Sequence, residues 1–176
     1  NEKENVHPNL IGLVVDYMTR FTMNTSLDIA FRISLLGAER INDSANAHKL
    51  ISQIKGLDDE SLICACKLVG YDVCYRAGIN KYKSVTEIKP NKKTIDNISI
   101  MIQRSVSFWQ QYGPIVREGF TFEGGYTSIV STGDGDYLTN DTLWDFKVSK
   151  EEPKSKYTLQ LLMYYIMGIH SVHEEF

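Results

Sequence analysis

Cysteine, proline and long apolar runs are all scarce in this chain, and these shortages exclude whole classes of protein. The three cysteines among 176 residues are an odd number confined to the apolar residues 64–74. This argues against a disulfide framework and predicts buried, reduced thiols. No histidine flanks the cysteines, so we expect no zinc site. No apolar run approaches the roughly 18 residues of a membrane span, so we expect no membrane partner.

Composition and charge further restrict the classes of protein to which this chain can belong. With 43% hydrophobic and 23% charged residues, the chain has enough apolar side chains to build a core as one globular domain. Its net charge of −3 gives nucleic acid no general attraction, so any such binding requires a local basic patch. Residues 1–5 lack the basic start and apolar centre of a signal peptide, and we expect a cytoplasmic protein.

The first half of the sequence predicts helices. Apolar residues recur at helical spacing over residues 11–21, and again over residues 27–38 in a helix that should begin near Asn24 or Thr25. A further helix should begin at Asp58, where acidic residues suit the positive end of a helix dipole, and should continue through the cysteine segment.

The clearest helix should begin at Thr94, a suitable capping residue, and end before Gly113 and Pro114. Its apolar stripe comprises Ile95, Ile98, Ile102, Val106 and Trp109. We therefore predict an N-terminal helical region at residues 1–93 and a C-terminal core at residues 94–176, packed together as one compact domain.

Five lysines accompany one acid between residues 81 and 93. A solvated connection is the simplest interpretation, and a patch that contacts phosphates is the alternative. The nucleic-acid contacts that this alternative predicts are Lys81, Lys83, Lys92 and Lys93, together with Lys150.

Residues 133–147 predict a β-hairpin and are the most informative stretch. Phe120 and Phe122 already alternate in the manner of a strand before it. Asn140 and Asp141 suit the centre of a two-residue turn between two strand-like runs, because both residue types tolerate positive φ.

This turn sets the pairing of the acidic residues. It places Asp136 opposite Asp145 and Asp134 opposite Lys147, and since side chains alternate along a strand, all four share one face. Directly opposed carboxylates repel each other. A divalent cation between them is one hypothesis, and ordinary turn and surface-strand residues are the alternative.

Residues 159–169 are apolar on nearly every side, which predicts a helix buried against the sheet. Gln160 and Tyr164 interrupt it four positions apart and so lie on one helical face. They either point toward the charged surface of the hairpin or are hydrogen-bonded polar residues of the core.

In order, the motifs Gly133-x-x-Asp136, Asp145-x-Lys147 and Gln160-x-x-x-Tyr164 resemble the signature of the PD-(D/E)XK nucleases, specifically the RecB-like branch with its QxxxY motif. The resemblance covers about residues 94–170 and leaves the N-terminal helices unexplained. It implies an α+β (α/β) fold with a restriction-endonuclease-like core, in which a small mixed sheet is flanked by helices in the order α-β-β-β-α.

The same resemblance implies a metal site of oxygen ligands. Asp136 and Asp145, with the backbone carbonyl of Phe146, would hold Mg²⁺ or Mn²⁺, which prefer hard oxygen ligands. Asp134 is a further candidate ligand. The family usually adds an acid from the helix before the sheet, where this chain offers only Asp96. The possible substitutes are Glu39, Glu118 and Glu123.

The remaining motif residues receive catalytic roles from the resemblance. Lys147 would orient or deprotonate the attacking water and steady charge on the phosphate. Gln160 and Tyr164 would position nucleic acid or water beside the metal ligands. No cysteine follows Cys74, so we expect no iron–sulfur cluster. A strand that normally follows in the family is either missing before Phe176 or supplied differently, and a homodimer could cover the exposed sheet edge.

Two functions follow from the resemblance. The first is a divalent-metal-dependent DNA nuclease, or a DNA-binding derivative of one, of phage or prophage origin and acting in the cytoplasm of the bacterial host cell. The second is an inhibitor, because the shortened core and acidic balance also resemble type II anti-CRISPR proteins. Its partner would be a CRISPR effector ribonucleoprotein. A DNA-binding module without catalysis is a third possibility.

Overall fold

The computed structural model describes residues 3–149 and 152–176. The chain divides into two compact units, Asn1–Ser107 and Phe108–Phe176. The α-helices are α1 (Pro8–Thr22), α2 (Leu27–Ala30), α3 (Arg32–Glu39), α4 (Ser44–Ser52), α5 (Asp59–Leu68), α6 (Asp72–Arg76), α7 (Lys92–Tyr112) and α8 (Ser155–Ile169). The strands are β1 (Arg117–Thr121), β2 (Asp134–Leu138) and β3 (Leu143–Trp144). None of these described helices is long and apolar enough to cross a membrane.

The predicted first helix is confirmed as α1, but the second helix is divided into two. Asn24 adopts a left-handed φ of 75°, a conformation that ends helices, so α2 begins only after Ser26. At Phe31 the backbone leaves helical geometry (φ −101°, ψ 19°) and the side chain is fully buried. Burial of this ring in the core overrides the continuous helical pattern of the sequence.

The acidic start of α5 and the buried cysteines are confirmed. The carboxylate of Asp58 accepts a hydrogen bond from the Ser61 amide at 3.0 Å and caps α5. This bond, with a second one from the Ser61 hydroxyl, lowers the pKa of Asp58. All three cysteines are free and buried, and burial raises the pKa of the Cys66 thiol to about 12.

A buried carboxylate holds three elements of the first unit together. Asp72 is 1% exposed and accepts hydrogen bonds from the Tyr17 hydroxyl at 2.6 Å and the Ser34 hydroxyl at 2.5 Å. Arg76 lies 3.4 Å from the same carboxylate. Burial raises the pKa of Asp72, and the bonds from Ser34 and Tyr17 oppose that rise. The carboxylate thereby links α1 and α3 to α6.

The predicted cap of α7 is wrong by three residues. The carboxamide oxygen of Asn91, not Thr94, accepts the capping bond, which comes from the Thr94 amide at 2.9 Å. Asn91 and Thr94 both have side chains that cap helices, and Thr94 is buried within the first turn, where its hydroxyl donates to Asn91. The end of the helix before Gly113 is confirmed.

The apolar stripe of α7 serves two cores. Ile95, Ile98 and Ile102 are buried in the core of the first unit, whereas Trp109 belongs to the second and is 2% exposed. The two units therefore divide after Ser107, inside α7, whereas the sequence pattern suggested residue 93. The difference arises because the first turns of α7 complete the N-terminal helical core.

The second unit contains a three-stranded sheet with the order β1-β2-β3. Both strand pairs are antiparallel, so the chain has an α+β fold. The mixed sheet that we predicted is wrong for the described residues, because their successive strands are adjacent in the sheet and the hairpin turn reverses the chain. Phe120 and Phe122 are buried on either side of the exposed Thr121, which confirms their alternation.

Helix α8 forms as predicted, but it is not buried on every side. Met167 and Gly168 are its buried residues. Large apolar side chains elsewhere on the helix are between 47% and 58% exposed; they are Leu159, Leu162, Tyr165, Ile166 and Ile169. The prediction was wrong because a sheet of only three short strands covers a single stripe of the helix.

The buried Asp72 should make stability depend on pH. The raised pKa means that the folded chain holds the carboxyl proton of Asp72 more tightly than the unfolded chain does. The free energy of unfolding should therefore fall as pH rises from about 4 through the folded pKa. Asp72→Asn does not titrate and should lack this contribution. Urea unfolding of both proteins from about pH 4 to about pH 8 measures the difference. A difference that stays constant with pH would contradict the assignment.

Candidate metal site at the hairpin

The predicted position of the turn and the register of the hairpin are confirmed. The positive φ expected at Asn140 and Asp141 is wrong, because Asn24 and Asn42 are the non-glycine residues with positive φ among those that the structure describes. Tyr137 pairs with Trp144 and Leu138 with Leu143. The Thr139 amide donates to the carbonyl of Thr142 at 3.0 Å, which leaves Asn140 and Asp141 as the two turn residues. The same register places position 145 opposite position 136, although β3 itself ends at Trp144.

Asp136 has a backbone contact that the sequence did not predict. One residue beyond the expected pair, the amide of Phe146 donates to the carboxylate of Asp136 at 2.9 Å. A backbone carbonyl of β2 would ordinarily accept this bond in a continuing antiparallel ladder. The carboxylate of Asp136 therefore holds the two sides of the hairpin together where the ladder stops.

Asp145 and Lys147 form an ion pair at the same end of the hairpin. The ammonium of Lys147 lies 2.6 Å from Oδ1 of Asp145. The Asp145 side chain is only 7% exposed and that of Lys147 is 36% exposed. Residues two apart in extended chain share a face, which explains the contact. Asp134 is exposed and pairs across the sheet with Thr121 of β1.

Aromatic side chains hold the hairpin on its other face. The Trp109 ring lies 4.7 Å from that of Tyr137 and 5.0 Å from that of Phe146, and the Phe108 ring lies 5.1 Å from that of Trp144. Strand alternation puts Asp136 and Asp145 on the face opposite these rings. We did not identify this cluster from the sequence, although aromatic and acidic residues alternate visibly there.

Gln160 and Tyr164 contact each other, as their spacing predicted. The carboxamide nitrogen of Gln160 donates to the Tyr164 hydroxyl at 2.9 Å. The Tyr164 ring lies 4.9 Å from the ring of Phe122 and close beside Gly133, where an added Cβ would lie 3.2 Å from it. The structure thus brings Tyr164 to the start of the Gly133-x-x-Asp136 motif.

Tyr126 has a structural role that we also missed. Its hydroxyl donates to the Gly133 carbonyl at 2.9 Å and accepts a bond from the Phe122 amide at 3.1 Å. The phenol therefore joins the segment after β1 to the segment before β2. These two bonds give Tyr126 a packing role.

The oxygen atoms that the hairpin offers suit a hard cation, but they are few. The carboxylates of Asp136 and Asp145 and the carbonyl of Phe146 are oxygen donors, and Mg²⁺ commonly binds one or two carboxylates and keeps several waters. Among the described residues, no group of three His, Cys, Asp or Glu side chains could hold a metal ion. Glu118 and Glu123, the candidate third acids of the second unit, therefore form no such group with the pair.

The lysines that were candidates for phosphate contacts differ in their surroundings. Lys92 lies 2.9 Å from the carboxylate of Asp59 and 3.0 Å from that of Asp96, and these bonds raise the pKa of Lys92. Its charge is therefore compensated within the protein, which weakens its case as a phosphate contact. Lys81, Lys83 and Lys93 are exposed. Lys150 lies outside the described residues.

The bond between Asp136 and Phe146 predicts a measurable change in the hairpin. Asp136→Ala removes the acceptor of a charge-assisted hydrogen bond, which is worth roughly 1.5–3 kcal/mol. Hydrogen exchange at the Phe146 amide should therefore accelerate by about tenfold or more. Asp141→Asn removes a carboxylate at the exposed turn but keeps an acceptor for the Thr142 hydroxyl; it is the control and should leave this amide unchanged. Unchanged exchange in Asp136→Ala would show that the bond does not stabilise the hairpin.

Comparisons with known proteins identify no relative of this chain. No protein-family model matches this chain, and neither a curated protein nor a solved structure is significantly similar to it. The chemistry of the hairpin therefore has to carry the functional proposal.

Proposed function

We propose that this chain hydrolyses phosphodiester bonds in DNA with the help of Mg²⁺ or Mn²⁺, on a PD-(D/E)XK-like core. One observation carries the proposal: the nearly buried carboxylate of Asp145 is paired with Lys147, where the hairpin register places it opposite Asp136. Two acids and a lysine at one end of a hairpin form a compact set of groups for binding a cation and a phosphate.

The order of the elements supports the proposal. Helix α7, strands β1, β2 and β3, and helix α8 follow one another along the chain, which is the α-β-β-β-α order that the motif resemblance implies. The Asp136 motif lies on β2, the Asp145 motif directly follows β3, and the Gln160 motif lies on α8. This order along the chain supports the proposal, although Asp145 and Lys147 lie just beyond the end of β3.

The chemistry would be shared between a cation and side chains. A bound Mg²⁺ or Mn²⁺ would polarise the phosphodiester and lower the cost of its extra negative charge. Oxygen atoms of Asp136, Asp145 and the Phe146 carbonyl would hold the ion. Lys147, kept in place by Asp145, would donate hydrogen bonds to the phosphate as negative charge develops or orient the attacking water.

The Gln160–Tyr164 pair would position the substrate. The carboxamide of Gln160 donates to the Tyr164 hydroxyl, which leaves the phenolic proton free to turn toward a phosphate or a water. The packing of Tyr164 against Phe122 fixes the direction of this hydroxyl.

We place the activity in the cytoplasm of a bacterial host cell, in a protein of phage or prophage origin.

A cleavage panel with paired variants tests the nuclease proposal. Purified wild-type protein should cut linear DNA with Mg²⁺ or Mn²⁺ and should stop when EDTA is added. Asp145→Asn removes a charged ligand and should lower the rate by a factor on the order of 100 or more. Asp141→Asn makes the same change at the turn of the same hairpin and should retain activity. Equal rates for Asp145→Asn and wild type would refute the proposal.

A second function, inhibition of a type II RNA-guided effector nuclease, has its own support. Asp136 and Asp145 already bind protein groups, and no third acid joins them among the described residues. A scaffold that binds a CRISPR effector ribonucleoprotein needs a surface rather than a competent metal site. Inhibition is therefore the alternative function if the cleavage panel detects no DNA hydrolysis.

If the protein is an inhibitor, its activity should not depend on the hairpin side chains that the nuclease proposal requires. Lys147→Ala should leave the block of effector cleavage unchanged within about twofold, because binding would not depend on phosphate chemistry. The measurement is DNA cleavage by an assembled type II effector, with and without the protein. If wild type cuts no DNA with any metal while Lys147→Ala still inhibits the effector, inhibition replaces hydrolysis as the function. If the wild-type protein does not inhibit the effector, the inhibitor function is rejected.

A further inference from the structure

An apolar stripe on α8 remains exposed after the second unit has folded. The stripe comprises Leu159, Leu162, Ile166 and Ile169, which we call the α8 seam. The four side chains are 58%, 53%, 47% and 48% exposed, respectively. Tyr165, 53% exposed, lies beside the seam. An exposed set of this kind on one helix is more than the single scattered apolar residues that ordinary surfaces carry.

The spacing of the α8 seam matches helix pairing. Its residues follow one another at intervals of three, four and three, which are the a and d positions of a heptad and form the narrow stripe by which two helices pack together. The buried side of α8 is different, because it contains Met167 and Gly168. A helix with apolar residues on two sides requires a second cover in addition to its own sheet.

We propose that the α8 seam pairs with the seam of a second copy of this chain to form an antiparallel, two-fold symmetric dimer. Such an interface is isologous, so the same patch must be complementary to itself. In an antiparallel pair centred on the seam, Leu159 meets Ile169 of the partner subunit, and Leu162 meets Ile166 of the partner subunit. Every contact then joins a leucine to an isoleucine of similar volume.

Charges at the two ends of α8 select the antiparallel arrangement. Lys156 is exposed in the first turn of the helix, and Glu174 is exposed in the segment that follows the helix, five residues after Ile169. Antiparallel pairing brings Lys156 toward Glu174 of the partner subunit and toward the negative end of the partner's helix dipole. Parallel pairing would instead bring like charges together at each end. Charge complementarity therefore favours a second copy in the antiparallel orientation.

The size of the seam suits a weak dimer. The four side chains of the seam and the neighbouring Tyr165, each about half exposed, offer roughly 300–400 Å² of apolar surface. With the usual polar share of a homodimer interface, this corresponds to roughly 500–600 Å² per subunit, which is at the low end of specific interfaces. We therefore expect a dissociation constant on the order of 1–100 µM.

A neighbouring cavity extends the same apolar surface. It has a volume of about 420 Å³ and is lined in part by Tyr126, Val130, Met163, Ile166 and Met167. Ile166 belongs to both the cavity and the α8 seam, so the apolar surface is continuous between them. Side chains of a second copy that lie beyond the seam can therefore also be accommodated.

Sedimentation equilibrium of the full chain tests the dimer. Across concentrations that bracket the expected constant, the wild-type mass should change from one chain to two. Leu162→Glu and, independently, Ile169→Glu place a charge in the seam and should weaken association by about tenfold or more. Ile100→Glu changes an apolar residue that is 45% exposed on α7; it is the matched control and should leave the equilibrium unchanged.

A charge exchange tests the orientation of the pair. Lys156→Glu alone and Glu174→Lys alone should each weaken association, and the two changes in one chain should restore it, because the ion pair re-forms with its signs reversed. Circular dichroism establishes that each variant is folded. A wild-type chain that stays monomeric throughout would overturn the proposal and leave the seam to a different protein. A dimer that persists in both seam variants would also overturn it.

Discussion

The position of Trp109 is the constraint on which the candidate site depends. Its ring packs against both Tyr137 on β2 and Phe146 after β3, so one side chain at the end of α7 fixes both sides of the hairpin. Because neighbouring residues on a strand point to opposite faces, this packing also determines where Asp136 and Asp145 point. The positions of the acids thus follow from the burial of aromatic rings.

The two units use buried polar groups in different ways. In the helical unit, Asp72 is nearly inaccessible and bonds to Tyr17 and Ser34, an arrangement that ties helices together. In the second unit, Asp136 and Asp145 bond to the hairpin itself and lie at its end. A carboxylate as deeply buried as that of Asp72 cannot meet a ligand from solvent, whereas those of Asp136 and Asp145 remain close enough to the surface to do so.

Local patterns predicted the features that depend on a few neighbouring residues. The hairpin turn at Asn140 and Asp141 and the start of α5 at Asp58 depend on the conformational preferences and hydrogen bonds of a few adjacent residues, which the sequence displays directly. The contact between Gln160 and Tyr164 belongs to the same category, because it depends only on helical spacing. These features could be predicted without knowledge of the rest of the chain.

Features that depend on distant residues could not be predicted. The break at Phe31 arises from core packing, and the pairing of Lys92 with Asp59 joins residues that are 33 positions apart. The exposure of α8 depends on how much surface a three-stranded sheet offers, which no helical pattern encodes. The bond from Phe146 to Asp136 required knowledge of where the strand pairing would end.

The burial of the native thiols has a practical consequence. Cys64, Cys66 and Cys74 are all buried, and burial raises the pKa of each thiol, so little of the reactive thiolate exists at neutral pH. A maleimide dye or spin label should therefore attach selectively to a single cysteine introduced on the surface. Labelling experiments on the hairpin can retain all three native cysteines.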